Sequence, residues 1–209
     1  MSELERLDEQ YREHHRERRA GGQFVFGGAE RGELFASLVG RDRRVLDLGC
    51  RAGALTRFYV EGNDVVGVDV DSAALTQAAE LGIETVHADV EEPFPFPDAS
   101  FDVVLAGELL EHLRSPERVV AEARRVLRPG GTFVGSVPNF FRLRNRLAFL
   151  LGRPLDHDPT HLRIFAPRDV ATLMAGWDDL ELHYVASRFL KLSPALFGHS
   201  IVFSARTPR

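Results

Sequence analysis

The chain has 209 residues, one cysteine and a formal net charge of -5. Its 44% hydrophobic and 27% charged content is that of a globular chain with a sizeable core, expected as a single domain over 1–209. Cys50 alone excludes an internal disulfide and any multi-cysteine metal site, the acidic balance opposes general nucleic-acid binding, and every apolar run is too short to span a bilayer.

Residues 3 to 20 interleave acids with arginines and predict a charged helix within an N-terminal stretch, 1–22, that breaks at Gly21-Gly22. It reads either as a solvated tail or as a cap over a ligand site. It lacks the apolar core of a signal sequence, so a cytoplasmic protein is the expectation. Gly27 to Val39 sets Leu34, Phe35, Leu38 and Val39 at helical spacing. Val45-Leu46-Asp47-Leu48 reads as a strand, followed by the turn Gly49-Cys50-Arg51-Ala52-Gly53 and then helical periodicity. Val65-Val66-Gly67-Val68-Asp69 reads as a second strand. Strands and helices alternate from Val45 to Val137, which predicts right-handed crossovers and a parallel sheet.

Strand five spans Thr132 to Val137 and ends at Pro138-Asn139. Phe140 to Leu151 has helical periodicity and is stopped by Gly152-Arg153-Pro154; a polar loop runs from Leu155 to Ile164. Pro167 opens a helix over Arg168 to Ala175. Glu181 to Phe189 and His199 to Arg206 alternate like strands.

The junction after the first strand offers free backbone N–H groups and close ligand approach at a helix N-terminus. Asp69, ending the second strand about 20 residues later, can accept bonds from both hydroxyls of a ribose. A nucleoside-containing cofactor is therefore expected. A dinucleotide fingerprint fails, because Arg51 and Ala54 stand where its second and third glycines belong. A phosphate-binding G-x-x-x-x-G-K-[ST] loop is also missing.

The remaining pattern, Asp47-Leu48-Gly49-Cys50-x-x-Gly53, resembles the first motif of class I S-adenosylmethionine-dependent methyltransferases. Asp69 matches that family's ribose-binding acid. His87-Ala88-Asp89-Val90 looks like the end of its third strand, Phe94 to Val104 like its run into strand four, and Glu122 to Gly131 like the helix and turn before strand five. These motifs stand in order across residues 43 to 137. The resemblance implies an α/β, Rossmann-like domain with a seven-stranded, mostly parallel sheet in the order 3-2-1-4-5-7-6 and strand 7 antiparallel. Segment 138–166 would then be a substrate-side insertion above the carboxyl ends of the strands. The implied cofactor is S-adenosyl-L-methionine, held by Asp47, Gly49, Cys50, Gly53, Asp69, Val70, Asp89, Val90, Ala106 and Glu108. Asp69 would hold the ribose, the Asp89 carboxylate and Val90 N–H would read the adenine, and Glu108 would line the methionine end or the substrate entrance.

Methyl transfer needs positioning first, and a general base only when the acceptor must lose a proton early. Two histidines are the catalytic candidates. His112 closes Gly107-Glu108-Leu109-Leu110-Glu111-His112, which resembles the E-x-L-E-H segment of ubiquinone-type O-methyltransferases; it can act as a base or orient the following helix. His161 lies in Thr160-His161-Leu162-Arg163-Ile164-Phe165. With Val137-Pro138-Asn139 and Arg144-Asn145-Arg146-Leu147, that segment resembles sugar, lipid-glycan and natural-product tailoring methyltransferases and the methionine-biosynthesis methyltransferase-like proteins. His161 and Arg163 reach the acceptor or pin the insertion to the sheet.

His157 and His161 are four apart, but Pro159 interrupts a helix between them, and no metal is expected. Six arginines (142, 144, 146, 153, 163 and 168) face two acids, Asp156 and Asp158, which reads as recognition of an anionic acceptor or as a solvated helix face. Arg51 replaces a family glycine, so a negative φ is expected there, with its side chain turned to solvent or to the cofactor carboxylate or an anionic acceptor. The leading function is methylation of a small-molecule acceptor at oxygen, ahead of nitrogen. The alternative is a non-catalytic binding or regulatory protein supporting a partner enzyme. No N-P-P-Y-type motif points to nucleic acid.

Overall fold

Alternation along the strands sorts the apolar residues onto two faces, and helices cover both. In a computed structural model, which describes residues 3–17, 27–153, 158, 160–185 and 189–209, Leu46, Val66, Val68, Val104, Ala106 and Phe133 face one side. Their neighbours Val45, Val65, Val103, Leu105 and Val134 face the other. A period of two is what a parallel sheet buried on both faces requires.

The sheet contains β1 (Arg44–Leu48), β2 (Asp64–Asp69), β3 (Glu84–His87), β4 (Phe101–Gly107), β5 (Leu127–Pro138), β6 (Asp178–Val185) and β7 (Ser200–Arg206). Its order is β3-β2-β1-β4-β5-β7-β6. The pairs from β3 to β5 are parallel, and β7 runs antiparallel between β5 and β6. The helices are α1 (Glu3–Glu17), α2 (Gly28–Val39), α3 (Ser72–Ala79), α4 (Pro116–Val126), α5 (Leu143–Leu150), α6 (Pro167–Leu173) and α7 (Pro194–Phe197). Val119, Val120 and Ala123 of α4 pack with Val170 of α6 on one face, while Phe35 and Val39 of α2 pack on the other. No helix among the described residues is long and apolar enough to cross a membrane.

Several boundaries differ from the sequence reading. No α-helix follows β1: after the glycine turn, only Thr56–Phe58 forms a 3-10 helix. Arg57 and Val60 donate four residues back, whereas Phe58 and Tyr59 donate three back, so regular helical bonding never sets in. Strand five starts earlier than expected, at Leu127, with a register shift opposite Phe101 and Val103. The sixth strand starts earlier than expected, at Asp178, and is described to Val185, with its own register shift between Asp178 and Glu181; the expected continuation over 186–188 lies outside the described residues. The expectations at Gly21-Gly22, Pro154, His157 and Pro159 lie outside the described residues.

The charged N-terminal helix packs against the start of α3. Asp8 of α1 accepts from the Ser72 backbone N–H at 3.2 Å and the Ser72 hydroxyl at 3.0 Å, at the start of α3. Leu7, Gln10 and Tyr11 thereby line the cleft above the sheet. Across the cleft α5 has no fully buried residue and exposes Phe149 and Leu150.

Candidate active site

A cleft of about 840 Å³ opens at the carboxyl ends of β1, β2, β4 and β5, within the range of small-molecule sites. The chain order β1-then-β4 places the topological switch point there.

Its first wall is the turn after β1. Gly49 has φ +70° and faces Leu109: a Cβ at Gly49 would lie 3.1 Å from Leu109 Cδ1. Four N–H groups of the turn are bonded inside the chain. Gly49 and Cys50 donate to the Val68 carbonyl at 2.8 and 3.3 Å, and Gly53 to the Cys50 carbonyl at 2.9 Å. Arg51 N–H donates to Asp69 Oδ2 at 2.8 Å. Arg51 also has φ +50°, contrary to the negative φ expected. The Asp69 bond and the flanking left-handed glycines impose the conformation that a glycine would otherwise occupy. Its side chain lines the cleft and is half-buried, which lowers its pKa against the opposing charges of Asp69 and Asp71.

Asp47 is buried, and its Oδ2 accepts from Thr56 Oγ1 at 2.6 Å and Tyr59 OH at 2.7 Å. Burial raises its pKa to about 6, against those two bonds. Asp69 accepts Arg51 N–H on one oxygen and Asp71 N–H, at 2.8 Å, on the other, which fixes the carboxylate at the end of β2. The carbonyl of Val70 accepts from His87 Nε2 at 2.9 Å. Asp89 Oδ1 caps the next turn by accepting Glu91 N–H at 2.9 Å, and Asp89 and buried Val90 both line the cleft.

Two expected cofactor residues do not line it. Ala106 shares the face of Val104 and lies fully buried in the core, whereas Leu105 and Gly107 border the cleft. Gly53 packs away from it: a Cβ there would lie 2.6 Å from Leu81 Cδ1.

Glu108 has φ +53° and sits in a buried network that sequence reasoning missed. Its Oε1 lies 2.7 Å from Arg31 Nη1 of α2 and accepts from Ser136 Oγ at 3.0 Å; Arg31 also donates to Ser200 Oγ at 3.3 Å. Arg31 is 3% exposed. The available signal was its spacing, four and eight residues before the core positions Phe35 and Val39.

The opposite side of the cleft is built by docking. Leu110–His112 forms a short 3-10 turn after β4, and the Glu111 carbonyl accepts from Leu162 N–H at 2.8 Å and Arg163 N–H at 3.1 Å. Arg163 Nη2 donates to the Arg114 carbonyl at 2.6 Å, so this arginine pins the insertion. Among the other insertion arginines described, Arg142 lines the cleft, whereas Arg146 donates to the Phe141 carbonyl and Arg168 pairs with Asp169 outside it.

The docking brings His112 and His161 together, ring centroids 4.7 Å apart and nearly perpendicular. Burial, followed by the facing His161, lowers His112 to about 4, so its imidazole is neutral and a weak proton acceptor. Burial, then the Glu108 charge, raises Glu111 well above the usual carboxylate range. His199, which the sequence reading left in a strand end, also lines the cleft, and burial lowers it to about 4.

Residues 46–135 match the family described as a methyltransferase domain. The domain belongs to the S-adenosylmethionine-dependent methyltransferases. A probable S-adenosylmethionine-dependent methyltransferase of Mycolicibacterium smegmatis is 35% identical over 145 residues, 67% of this chain and 53% of that protein. A ubiquinone biosynthesis O-methyltransferase of Hahella chejuensis is 38% identical over 122 residues, 55% of this chain and 49% of that protein. The chain thus matches only half the length of these relatives. A solved S-adenosylmethionine-dependent methyltransferase from Archaeoglobus fulgidus shares the fold, with a TM-score of 0.69 at 19% identity over 85% of this chain and 92% of its own.

The cleft suits the methyltransferase cofactor, S-adenosylmethionine. Four of its turn N–H groups are bonded inside the chain, and Arg51 and Ala54 stand where a dinucleotide turn has glycines. Carboxylates at Asp47, Asp69 and Asp89 line the same end, a set of anionic acceptors that suits hydroxyls and a sulfonium and repels phosphates.

Proposed function

We propose that this protein methylates a small-molecule acceptor at a hydroxyl oxygen, using S-adenosylmethionine. The observation that carries the reading is one cleft with two chemically different ends. Acids fixed at the ends of β1 and β2 stand at one end, and a histidine pair, one from the turn after β4 and one from the docked insertion, at the other. The sulfonium of the bound cofactor supplies an electrophilic methyl group, so the protein chiefly supplies position. Asp69 holds the ribose hydroxyls, and Asp89 and the Val90 backbone read the adenine. Glu108, fixed by Arg31 and Ser136, borders the methionine end. His112 and His161 face the acceptor and orient its oxygen, while Arg142 lies where an anionic group on the acceptor would be met. Relatives named as ubiquinone biosynthesis O-methyltransferases support oxygen over nitrogen.

Calorimetry tests the cofactor half. Asp69→Ala should weaken S-adenosylmethionine binding by about 1–3 kcal/mol, the loss of charge-assisted hydrogen bonds. Unchanged affinity overturns the ribose assignment. Incubation with host extract and mass spectrometry of the products tests the acceptor half. His112→Ala and His161→Ala should lower turnover while leaving cofactor affinity near wild type. Cofactor binding without any methylated product would favour the non-catalytic alternative.

A further inference from the structure

The cleft carries a second charged wall, assembled where β5 and β7 pair. Pro138 stands across from Ser200 in that ladder, and the bond from Asn139 N–H to the His199 carbonyl, 2.8 Å, extends it by one step. His199 N–H donates to the Val185 carbonyl of β6 at 2.8 Å, so its backbone is held from both sides. The Asn139 side chain donates to the Ala195 and Gly198 carbonyls at 2.9 and 3.0 Å and fixes the segment that leads into His199. Three residues beyond Asn139 the chain reaches Arg142, which precedes α5. Arg142 Nε donates to Asn145 Oδ1 at 3.4 Å, and Asn145 Nδ2 to the Phe140 carbonyl at 3.0 Å. Arg142, Asn145 and His199 all line the cleft. Phe140 packs edge-on against His161, ring centroids 5.8 Å apart, so this wall adjoins the histidine pair.

The charges that act on His199 are unbalanced. After burial, Arg142, Arg31 and Arg144 oppose a proton on its ring, whereas Glu108 favours one. Glu108 lies 2.7 Å from Arg31, and the two largely cancel. Arg142 and Arg144 remain, and the first turn of α5 holds no acid to offset them. Cations gathered on a half-buried wall repel one another, and a bound anion relieves that repulsion. The planar guanidinium fork matches a carboxylate or a phosphate. An oxyanion there also favours the protonated form of His199, which turns a neutral ring into a further charged donor.

We propose that Arg142 and His199 form a subsite for an oxyanion, a carboxylate or a phosphate, carried by the methyl acceptor. That the acceptor supplies the anion rests on the methyl-transfer reading; the anion site itself does not. The arginine-rich insertion hinted at an anionic acceptor, but His199 comes from the far end of the chain and was not expected to share in its recognition.

The full chain is titrated with methyl phosphate and with acetate at constant ionic strength, and the histidine ring signals are followed by NMR. The His199 signal is assigned by its loss in His199→Gln. Saturable binding of at least one anion is expected, with the His199 midpoint moving up from about 4 in the bound form. The tighter anion tells whether the acceptor carries a phosphate or a carboxylate. Arg142→Gln should weaken anion binding by about 10-fold or more. It should also raise the His199 midpoint without any anion, because the strongest repelling charge is gone. A folded wild type whose His199 signal responds to neither anion overturns the proposal, and this titration decides alone if the variant fails to fold. Unchanged anion affinity in folded Arg142→Gln overturns it as well. Each titration is repeated with saturating S-adenosylhomocysteine. Retained anion binding supports an acceptor subsite, whereas displacement assigns the wall to the cofactor's own carboxylate and overturns it. Anion binding by a chain that takes up no S-adenosylhomocysteine sinks the methyl-transfer reading alone, and cofactor binding without anion binding sinks the subsite alone.

Discussion

Arg51 is the position where the first motif departs from glycine, and it still adopts glycine's left-handed conformation, φ +50°. For an L-residue that conformation costs about 1–2 kcal/mol. Glycine escapes this cost but loses about 0.5–1 kcal/mol more than alanine in backbone entropy on folding. Arg51→Gly should therefore exceed Arg51→Ala in stability by about 0.5–1 kcal/mol. The comparison is made between these two variants because both lack the guanidinium and differ only at Cβ. For a chain of this size the gap corresponds to about 1–4 °C in melting temperature. Thermal and urea unfolding without cofactor read it directly. Arg51→Ala against wild type then isolates the side chain, which lies in the field of Asp69 and Asp71. If Arg51→Gly melts at or below Arg51→Ala, the turn stores no strain and the backbone argument fails.

Asp47 predicts a pH dependence of stability. Its folded pKa of about 6 lies above the ordinary 3.8, so its stabilising share is complete below the ordinary value and is lost as pH rises through 6. Two units correspond to about 3 kcal/mol, and Asp47→Asn, which keeps an acceptor for Thr56 and Tyr59, should remove this decline and be the more stable form at neutral pH. Urea midpoints measured across that range check it; an unchanged slope in Asp47→Asn refutes it. Arg31→Met should destabilise the fold by about 2–4 kcal/mol, because it strips Glu108 of a buried cation. An unchanged urea midpoint would show that the network contributes nothing to stability.

The sheet was readable because period-two burial is a local property: Val45 against Leu46, Val65 against Val66 and Val103 against Val104 each carry it within two positions. The order of the last strands came by resemblance, and the pairing of β7 between β5 and β6 agrees with it. The segment after β1 misled, since its apolar spacing suits a helix. Thr56 and Tyr59 instead turn inward to one oxygen of Asp47, a tertiary contact that propensity does not register. Ala106 misled by one position, because a single step along a strand moves a side chain to the opposite face.

The two ends of the cleft differ in the same way. The position of Asp69 was legible because it ends a strand, and the bonds that fix it come from Arg51 and Asp71, the latter two residues away. On the acceptor side, His112 and His161 could be named individually, but not as partners. They lie in separate segments, joined by the bonds from Leu162 and Arg163 to Glu111, from the Arg163 side chain to the Arg114 carbonyl and from the His112 ring to Thr160. Glu111 stood in the motif segment, but nothing signalled its burial, because an acid beside a histidine on a short turn ordinarily faces water. The bonds from Leu162 and Arg163 to its carbonyl bring the insertion against it. Side chains placed by strand ends can therefore be located from one sequence. Chemistry assembled by an insertion docking on a turn about 50 residues away needs the contact itself, since spacing carries no information about which residues will meet.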